Sequence, residues 1–445
     1  MRRPMNNPWL HRFAVLTALA TLALVGVGGL VTSHEAGMTV PDWPTSYGYN
    51  MFFFPISKWI GGIFYEHTHR LVASAVGLLT GILVLWLYGT NARPFMRWAG
   101  LTSLGVGVIT ALVKPARWPD GFVFGITGLF MFCAGFDWPR CAAAAKWLRR
   151  LGHIPFFTVV LQGVFGGLRV FAWPRCEPAA KRLRRLGLIA FFAVVLQGVL
   201  GGLRVTLYKD QIGIVHGALA QLFFVLICAI ALFTSRWWQR LPNPETEKPV
   251  SKNVRRLFLG ATLLILFQLV LGATMRHQHA GLAIRDFPLA YGKLWPATDA
   301  ASVAQYNATR PEVGVHAITA FQIVLQMAHR IVAVLIFGAV ACCAWLAIRK
   351  LSWRDPLARL AVLWLGLVFA QIILGAATIW SDKAADIATA HVMTGALSIA
   401  TGAMICIISF RTLNLAQFWA VYSGSEKKSA DGAFSAEAGT AHQES

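Results

Sequence analysis

Eight stretches of this chain are apolar over the roughly 20 residues that a helix needs to cross a bilayer. They lie at about 12–31, 67–88, 187–206, 212–234, 256–275, 327–348, 359–380 and 388–410. Of the 445 residues, 56% are hydrophobic and 13% charged, and 17 are Trp and 40 Gly. That composition excludes an ordinary soluble globule and predicts an all-α polytopic membrane protein.

The formal net charge of +21 could point to nucleic acid. The distribution of that charge explains it otherwise. Arg2, Arg3 and Arg12 precede the first span, and Arg93 and Arg97 follow the second. Lys181, Arg182, Arg184 and Arg185 precede the third, and Arg236 to Arg256 lie between the fourth and fifth. Arg349, Lys350, Arg354 and Arg359 lie between the sixth and seventh. Basic residues thus crowd alternate loops, which is the positive-inside bias. It places both termini in the cytoplasm of a bacterial cell, with lipid rather than nucleic acid as the partner. The first apolar run resembles a signal peptide, but it is as long as a full span and has an internal counterpart, so it is read as uncleaved.

The chain repeats itself. GGLVTSHEAGMTVPDWPTSYG (28–48) aligns without gaps to GATMRHQHAGLAIRDFPLAYG (272–292), at an offset of 244. EHTHRLVAS (66–74) then pairs with QMAHRIVAV (326–334), QGVLGG (197–202) with QIILGA (371–376), and VHGALAQL (215–222) with AHVMTGAL (390–397). The order and orientation are the same in both halves. Two four-helix bundles, related by an axis along the membrane normal, are therefore expected. The first spans about 1–240 and the second about 250–412, with a disordered polar tail at 424–445.

The first half carries 85 extra residues, an insertion at about 95–182. Part of it is a local duplication, in which WPRCAAAAKWLRRLG from Trp138 returns as WPRCEPAAKRLRRLG from Trp173. Two shorter apolar runs, about 98–113 and 121–136, precede it. Three added crossings would invert everything downstream. Hence either one of these segments is re-entrant or interfacial, or the two short runs contribute one crossing between them. The seven cysteines give no disulfide framework and no metal-ligand spacing.

Four histidines stand near the outer ends of four spans: His69, His216, His329 and His391. Ionisable groups are costly in hydrocarbon and usually mark function there. The alternative for a single such histidine is a helix-packing role. Four at one expected depth, in a duplicated frame, favour imidazole pairs that hold haem iron. Glu66 lies one turn before His69 and faces the same side, whereas its counterpart Gln326 is neutral. His67 has no such counterpart and is set aside, and His34, His277, His279 and His316 are read as solvated loop residues.

Taken together and in order, EHTHRLVAS, PDWPTSYG, QGVLGGLRV, VHGALAQL and MAHRIV resemble the haem A synthase family (COX15/CtaA), over about 1–90 and 185–412. The resemblance implies an eight-helix membrane oxidoreductase that oxidises the C8 methyl of haem O to a formyl group by successive hydroxylations, giving haem A for cytochrome oxidase. It implies haem b as a cofactor between His329 and His391, the substrate haem between His69 and His216, and a catalytic role for Glu66. A haem O synthase (protohaem farnesyltransferase) and an electron donor are the implied partners, in the cell inner membrane. Many bacterial members carry a cysteine pair in the first outer loop, but residues 32–66 here hold none.

A carboxylate beside the substrate pair can accept a proton or stabilise developing positive charge, and an amide cannot accept that proton. Arg70, Arg330 and Arg204 are expected either to pair with haem propionates or to snorkel to the interface. Two rival readings remain, a di-haem b-type electron carrier and a haem transporter. Two plain electron-transfer sites would need no carboxylate on one side only.

Overall fold

A computed structural model describes residues 8–113, 118–134, 180–241, 250–310, 317–351 and 353–411. Ten long helices carry the architecture. They are α1 (Pro8–Ser33), α2 (Gly61–Tyr88), α3 (Arg93–Val113), α4 (Trp118–Ala134), α5 (Lys181–Thr206), α6 (Asp210–Thr234), α7 (Lys252–His277), α8 (Ala320–Lys350), α9 (Pro356–Trp380) and α10 (Ala385–Ser409). Eight of the helical stretches are long and apolar enough to cross a membrane, and the chain is an all-α polytopic membrane protein. Each expected span lies inside one of these helices.

Polar residues start several helices ahead of their apolar runs. Ser251 caps α7 through Val254 N, and Asp355 caps α9 with Pro356 directly behind it. Thr319 and Gln322 form a reciprocal capping box at α8. The outer ends of α1 and α7 close alike, with Glu35 and His279 at equivalent positions in the left-handed region.

The helices pack as two rings. In the first, α1 contacts α2, α2 contacts α5, α5 contacts α6, and α6 returns to α1. The second ring runs α7, α8, α9, α10 and back to α7. The rings join through α1 against α10 and α7 against α6, which are equivalent contacts under the duplication, and through α6 against α10. Small residues permit the approach at this seam. A Cβ on Gly26 would meet Met393 Sδ at 2.8 Å, and one on Gly29 would meet Thr389 Oγ1 at 3.2 Å. Arg276, at the outer end of α7, crosses the seam to donate to Gly29 O (2.6 Å) and Ser33 Oγ. Each ring has its own apolar centre. Leu83, Leu87, Met96, Ile227 and Ile230 fill the first, and Phe258, Val340, Trp364 and Ile405 the second.

The two short apolar runs of the insertion lie in α3 and α4, an antiparallel pair whose backbones touch through glycines. A Cβ on Gly107 would lie 2.6 Å from Gly121 O, and one on Gly128 would lie 2.7 Å from Gly100 O. Ser103 Oγ also donates to Phe124 O across the pair (2.8 Å). Close backbone approach of this kind is how small residues associate helices where no water drives association. The copy at 154–171 and the tail at 424–445 lie outside the described residues.

Candidate functional site

The four histidines sit in the second or third turn of α2, α6, α8 and α10. Within each ring the two histidine-bearing helices stand on the diagonal rather than side by side. His69 and His216 thus stand on the diagonal helices of the first ring, and His329 and His391 on those of the second. The members of each pair are close enough to interact electrostatically. Among the described residues no group of three or more His, Cys, Asp or Glu could hold a metal ion. Imidazoles in twos suit the axial positions of a planar macrocycle rather than a tetrahedral ion.

Every imidazole is seated on a glycine of the preceding helix. A Cβ on Gly28 (α1) would lie 3.1 Å from His69 Nε2. One on Gly201 (α5) would lie 3.5 Å from His216 Cε1. Gly272 (α7) and Gly375 (α9) stand in the same relation to His329 Cε1 and His391 Cε1, each at 3.3 Å. A Cβ at Gly28, Gly272 or Gly375 would make the ring give by a few tenths of an ångström, whereas one at Gly201 would make ordinary contact. The Nδ1 atoms of His329 and His391 are buried with no hydrogen-bond partner. A pair of buried imidazoles with unspent nitrogens is a donor set that fits haem iron.

Two outer loops roof the rings, and they are built alike. Asp42 accepts from Tyr47 N (2.6 Å) and Gly48 N (2.8 Å); Asp286 accepts from Tyr291 N (2.8 Å) and Gly292 N (2.9 Å). Tyr47 and Tyr291 take φ of 50° and 52°, and Gly48 and Gly292 take 77° and 71°. Two successive left-handed residues need a glycine at one of them, which explains the Tyr-Gly in both copies. Trp43-Pro44 and Phe287-Pro288 are both cis. Burial raises the Asp42 carboxyl pKa, but hydrogen bonds from Gly48, Thr45 and Tyr47 outweigh that and hold it below the usual value. Trp43 lies over Gly202 of α5, where a Cβ would come 2.7 Å from its Cε3 and closer still to its Cδ2.

Glu66 and Arg70 fasten the first roof. Glu66 is 4% exposed and accepts from Thr39 Oγ1 (3.0 Å) and Val40 N (2.9 Å). Arg70 donates to Glu66 Oε1 (2.8 Å) and to Val40, Asp42 and Thr45 carbonyls at 2.7 to 2.9 Å. In the second half Gln326 accepts from Ile284 N (2.7 Å), and Arg330 donates to Leu289 O and Asp286 O. The guanidinium groups of Arg70 and Arg330 are thus occupied by loop carbonyls. Arg204 packs on Gly37 and reaches Asp210 at 3.3 Å, and its Nε, like that of Arg330, is buried without a partner. It acts electrostatically on both His69 and His216.

Three features escaped the sequence reading. His277 is not a solvated loop residue. It ends α7 with its side chain only 11% exposed, against Gly213 and 4.0 Å from Asp210. The helix-packing contact between the rings takes it out of water. His67 is fully buried against Phe54 and Trp59, its Nδ1 3.1 Å from Ser46 Oγ. The third feature is Gln268, whose amide donates to His329 O (2.9 Å), as Gln371 donates to His391 O (2.5 Å). The text that could have found it is QLVLGA (268–273), a third copy of QGVLGG and QIILGA.

Comparison with known proteins adds an independent line. Residues 156–402 match the family COX15-CtaA, described as cytochrome oxidase assembly protein. The proteins named Heme A synthase from Anaplasma marginale, strains Florida and St. Maries, are each 30% identical over 188 residues. That match covers 41% of this chain and 49% of each relative, so the chain spans about half the length of the curated relatives it matches.

Proposed function

The chain belongs to the COX15-CtaA family of cytochrome oxidase assembly proteins, and from that membership we propose that it is a haem A synthase. In this reading it is a membrane oxidoreductase that takes haem O and oxidises its C8 methyl to a formyl group. What supports the reading is the placement of the four histidines on the diagonal helices of two rings, with Glu66 in the first half where the second has Gln326.

The two rings divide the work. His329 and His391 would hold a haem b, which would supply one-electron transfer. His69 and His216 hold the substrate. Arg204 is the propionate-binding residue of that site, because its charge bears on both imidazoles while part of its donor capacity is unspent. Arg70 and Arg330 act on substrate and haem b at one remove, by fixing the roof over each ring. Glu66 is the one carboxylate of the site that can hold or move a proton, and its ion pair with Arg70 sets it under the loop. Gln326 makes the equivalent loop contact with no charge, which fits a ring that only carries electrons.

The protein sits in the bacterial inner membrane with both termini in the cytoplasm, so the two sites face the periplasmic side. Haem O, a farnesylated and membrane-soluble pigment, comes from a haem O synthase in the same membrane. An electron donor completes the partners.

Co-expression with a haem O synthase, followed by pigment extraction, tests the reading. Haem A in the extract supports it. Haem O that accumulates unchanged beside haem b overturns it in favour of a di-haem carrier.

A further inference from the structure

The four helices that precede the histidines carry one text. It reads LVGVGG at 24–29, QGVLGG at 197–202, QLVLGA at 268–273 and QIILGA at 371–376. In each, the fifth residue is the glycine on which an imidazole is seated. The first residue lies one turn earlier on the same helix face. In three copies it is glutamine, and its amide reaches back to the carbonyl of the seated histidine. Gln268 donates to His329 O (2.9 Å) and Gln371 to His391 O (2.5 Å). Gln197, with its amide turned as in these two, donates to His216 O (3.2 Å) and lies 2.9 Å from His216 Nδ1. The fourth copy has Leu24, which packs into the apolar core of the first ring. Among the described residues no side chain donates to the His69 carbonyl.

His69 also stands apart in the pose of its ring. His216, His329 and His391 turn the Cε1–Nδ1 edge to their glycines. His69 turns the Nε2–Cδ2 edge, with Nε2 3.1 Å from the place of a Gly28 Cβ. The one imidazole without a glutamine is the one whose ring is reversed.

We infer that Gln197, Gln268 and Gln371 are positioning residues that lock three histidines, and that Leu24 leaves His69 as the axial position that opens to let haem in and out. The inference rests on the haem-binding reading above and deepens it. A turnover site must release its product, and a resident cofactor must not escape. One missing hydrogen bond at one of four ligands separates those two demands.

Haem release tests this directly. The full-length chain, purified in detergent and loaded with haem b at both sites, is mixed with excess apomyoglobin, and transfer is followed in the Soret band. Two phases are expected, the fast one absent in His69→Ala and the slow one absent in His329→Ala. Leu24→Gln should slow the fast phase by about 5- to 10-fold, the factor that one hydrogen bond of ordinary strength sets. Leu24→Met, similar in size but with no donor, should leave it unchanged. Gln268→Met should speed the slow phase by a similar factor and weaken the low-spin bis-imidazole signal in electron paramagnetic resonance. An unchanged fast phase in Leu24→Gln, or an unchanged slow phase in Gln268→Met, overturns the inference while the haem reading stands. If Leu24→Gln does not fold, Gln268→Met alone decides. A wild-type chain that takes up no haem at either site overturns the haem reading and this inference with it.

Discussion

Glu66 and Gln326 occupy equivalent places and make the same backbone contact. Each side-chain oxygen accepts the N–H of a roof residue 244 positions apart, Val40 N at 2.9 Å and Ile284 N at 2.7 Å. The difference between them is charge. Glu66 also binds Arg70 as an ion pair (2.8 Å), whereas Arg330 donates to loop carbonyls. The second half therefore demonstrates that an amide can hold such a roof.

Glu66→Gln follows from that comparison. The variant should fold, keep its roof and keep haem b, because Gln326 already works in that setting. Haem A formation should fall by roughly 100-fold, in the range expected for loss of a positioned proton acceptor. Pigment extraction beside haem b quantitation checks both halves of the statement. A variant that keeps full haem A yield would show that Glu66 only fastens the loop.

Arg70→Leu should be a structural lesion. Arg70 makes four hydrogen bonds, and its loss leaves the Val40, Asp42 and Thr45 carbonyls and Glu66 without their donor. Unsatisfied buried polar groups cost about 1 to 3 kcal/mol each. The expected result is a protein of lower melting temperature whose loop at 39–48 is nicked early in limited proteolysis. Arg330→Leu should loosen the loop at 286–292 in the same way and leave haem b bound. Loss of haem b in Arg330→Leu would instead make Arg330 a direct propionate ligand.

The histidines separate by function. His329→Ala and His391→Ala should each abolish the bis-imidazole spectrum of haem b. His69→Ala and His216→Ala should keep that spectrum and lose haem A. Gly375→Val should behave like His391→Ala with the ligand still present, since branched carbons would occupy the seat now 3.3 Å from Cε1. Optical spectra of the purified variants decide between these outcomes.

Acid should open the first roof. The Asp42 carboxyl lies below its ordinary value in the fold, so its stabilising effect is complete above its unfolded pKa of about 4. It is lost as the pH falls through the lowered folded value. Proteolysis at 39–48 should therefore accelerate as the pH drops below about 4. In Asp42→Asn it should already be fast at neutral pH and change little with acid. A wild-type loop that is equally resistant at both pH values would rule out the Asp42 turn as its anchor.

Much of this was legible from residues. The eight spans, the duplication and the four histidines follow from apolar length and repeated text, and the structure sets each span within a helix. The Asp, Pro and Tyr-Gly shared by the two outer loops are visible in the sequence, but the reason for them is not. That reason is a carboxylate closing a turn through two consecutive left-handed residues. The insertion could not be read, because apolar length alone does not distinguish one crossing from a hairpin. The glycine contacts between α3 and α4 show only that the two short runs pack against each other.

The sequence by itself determined that the chain lies in a membrane, is built twice over, and carries two pairs of imidazoles with a carboxylate in one half. These follow from local length, periodicity and identity. Only the tertiary structure decided which helices stand on the diagonals, that Glu66 and Arg70 bind the roof, that His277 is largely buried at the seam, and that Gln268 and Gln371 reach the carbonyls of His329 and His391. Those facts depend on which helix faces which, set by the packing of small residues between helices far apart in the chain.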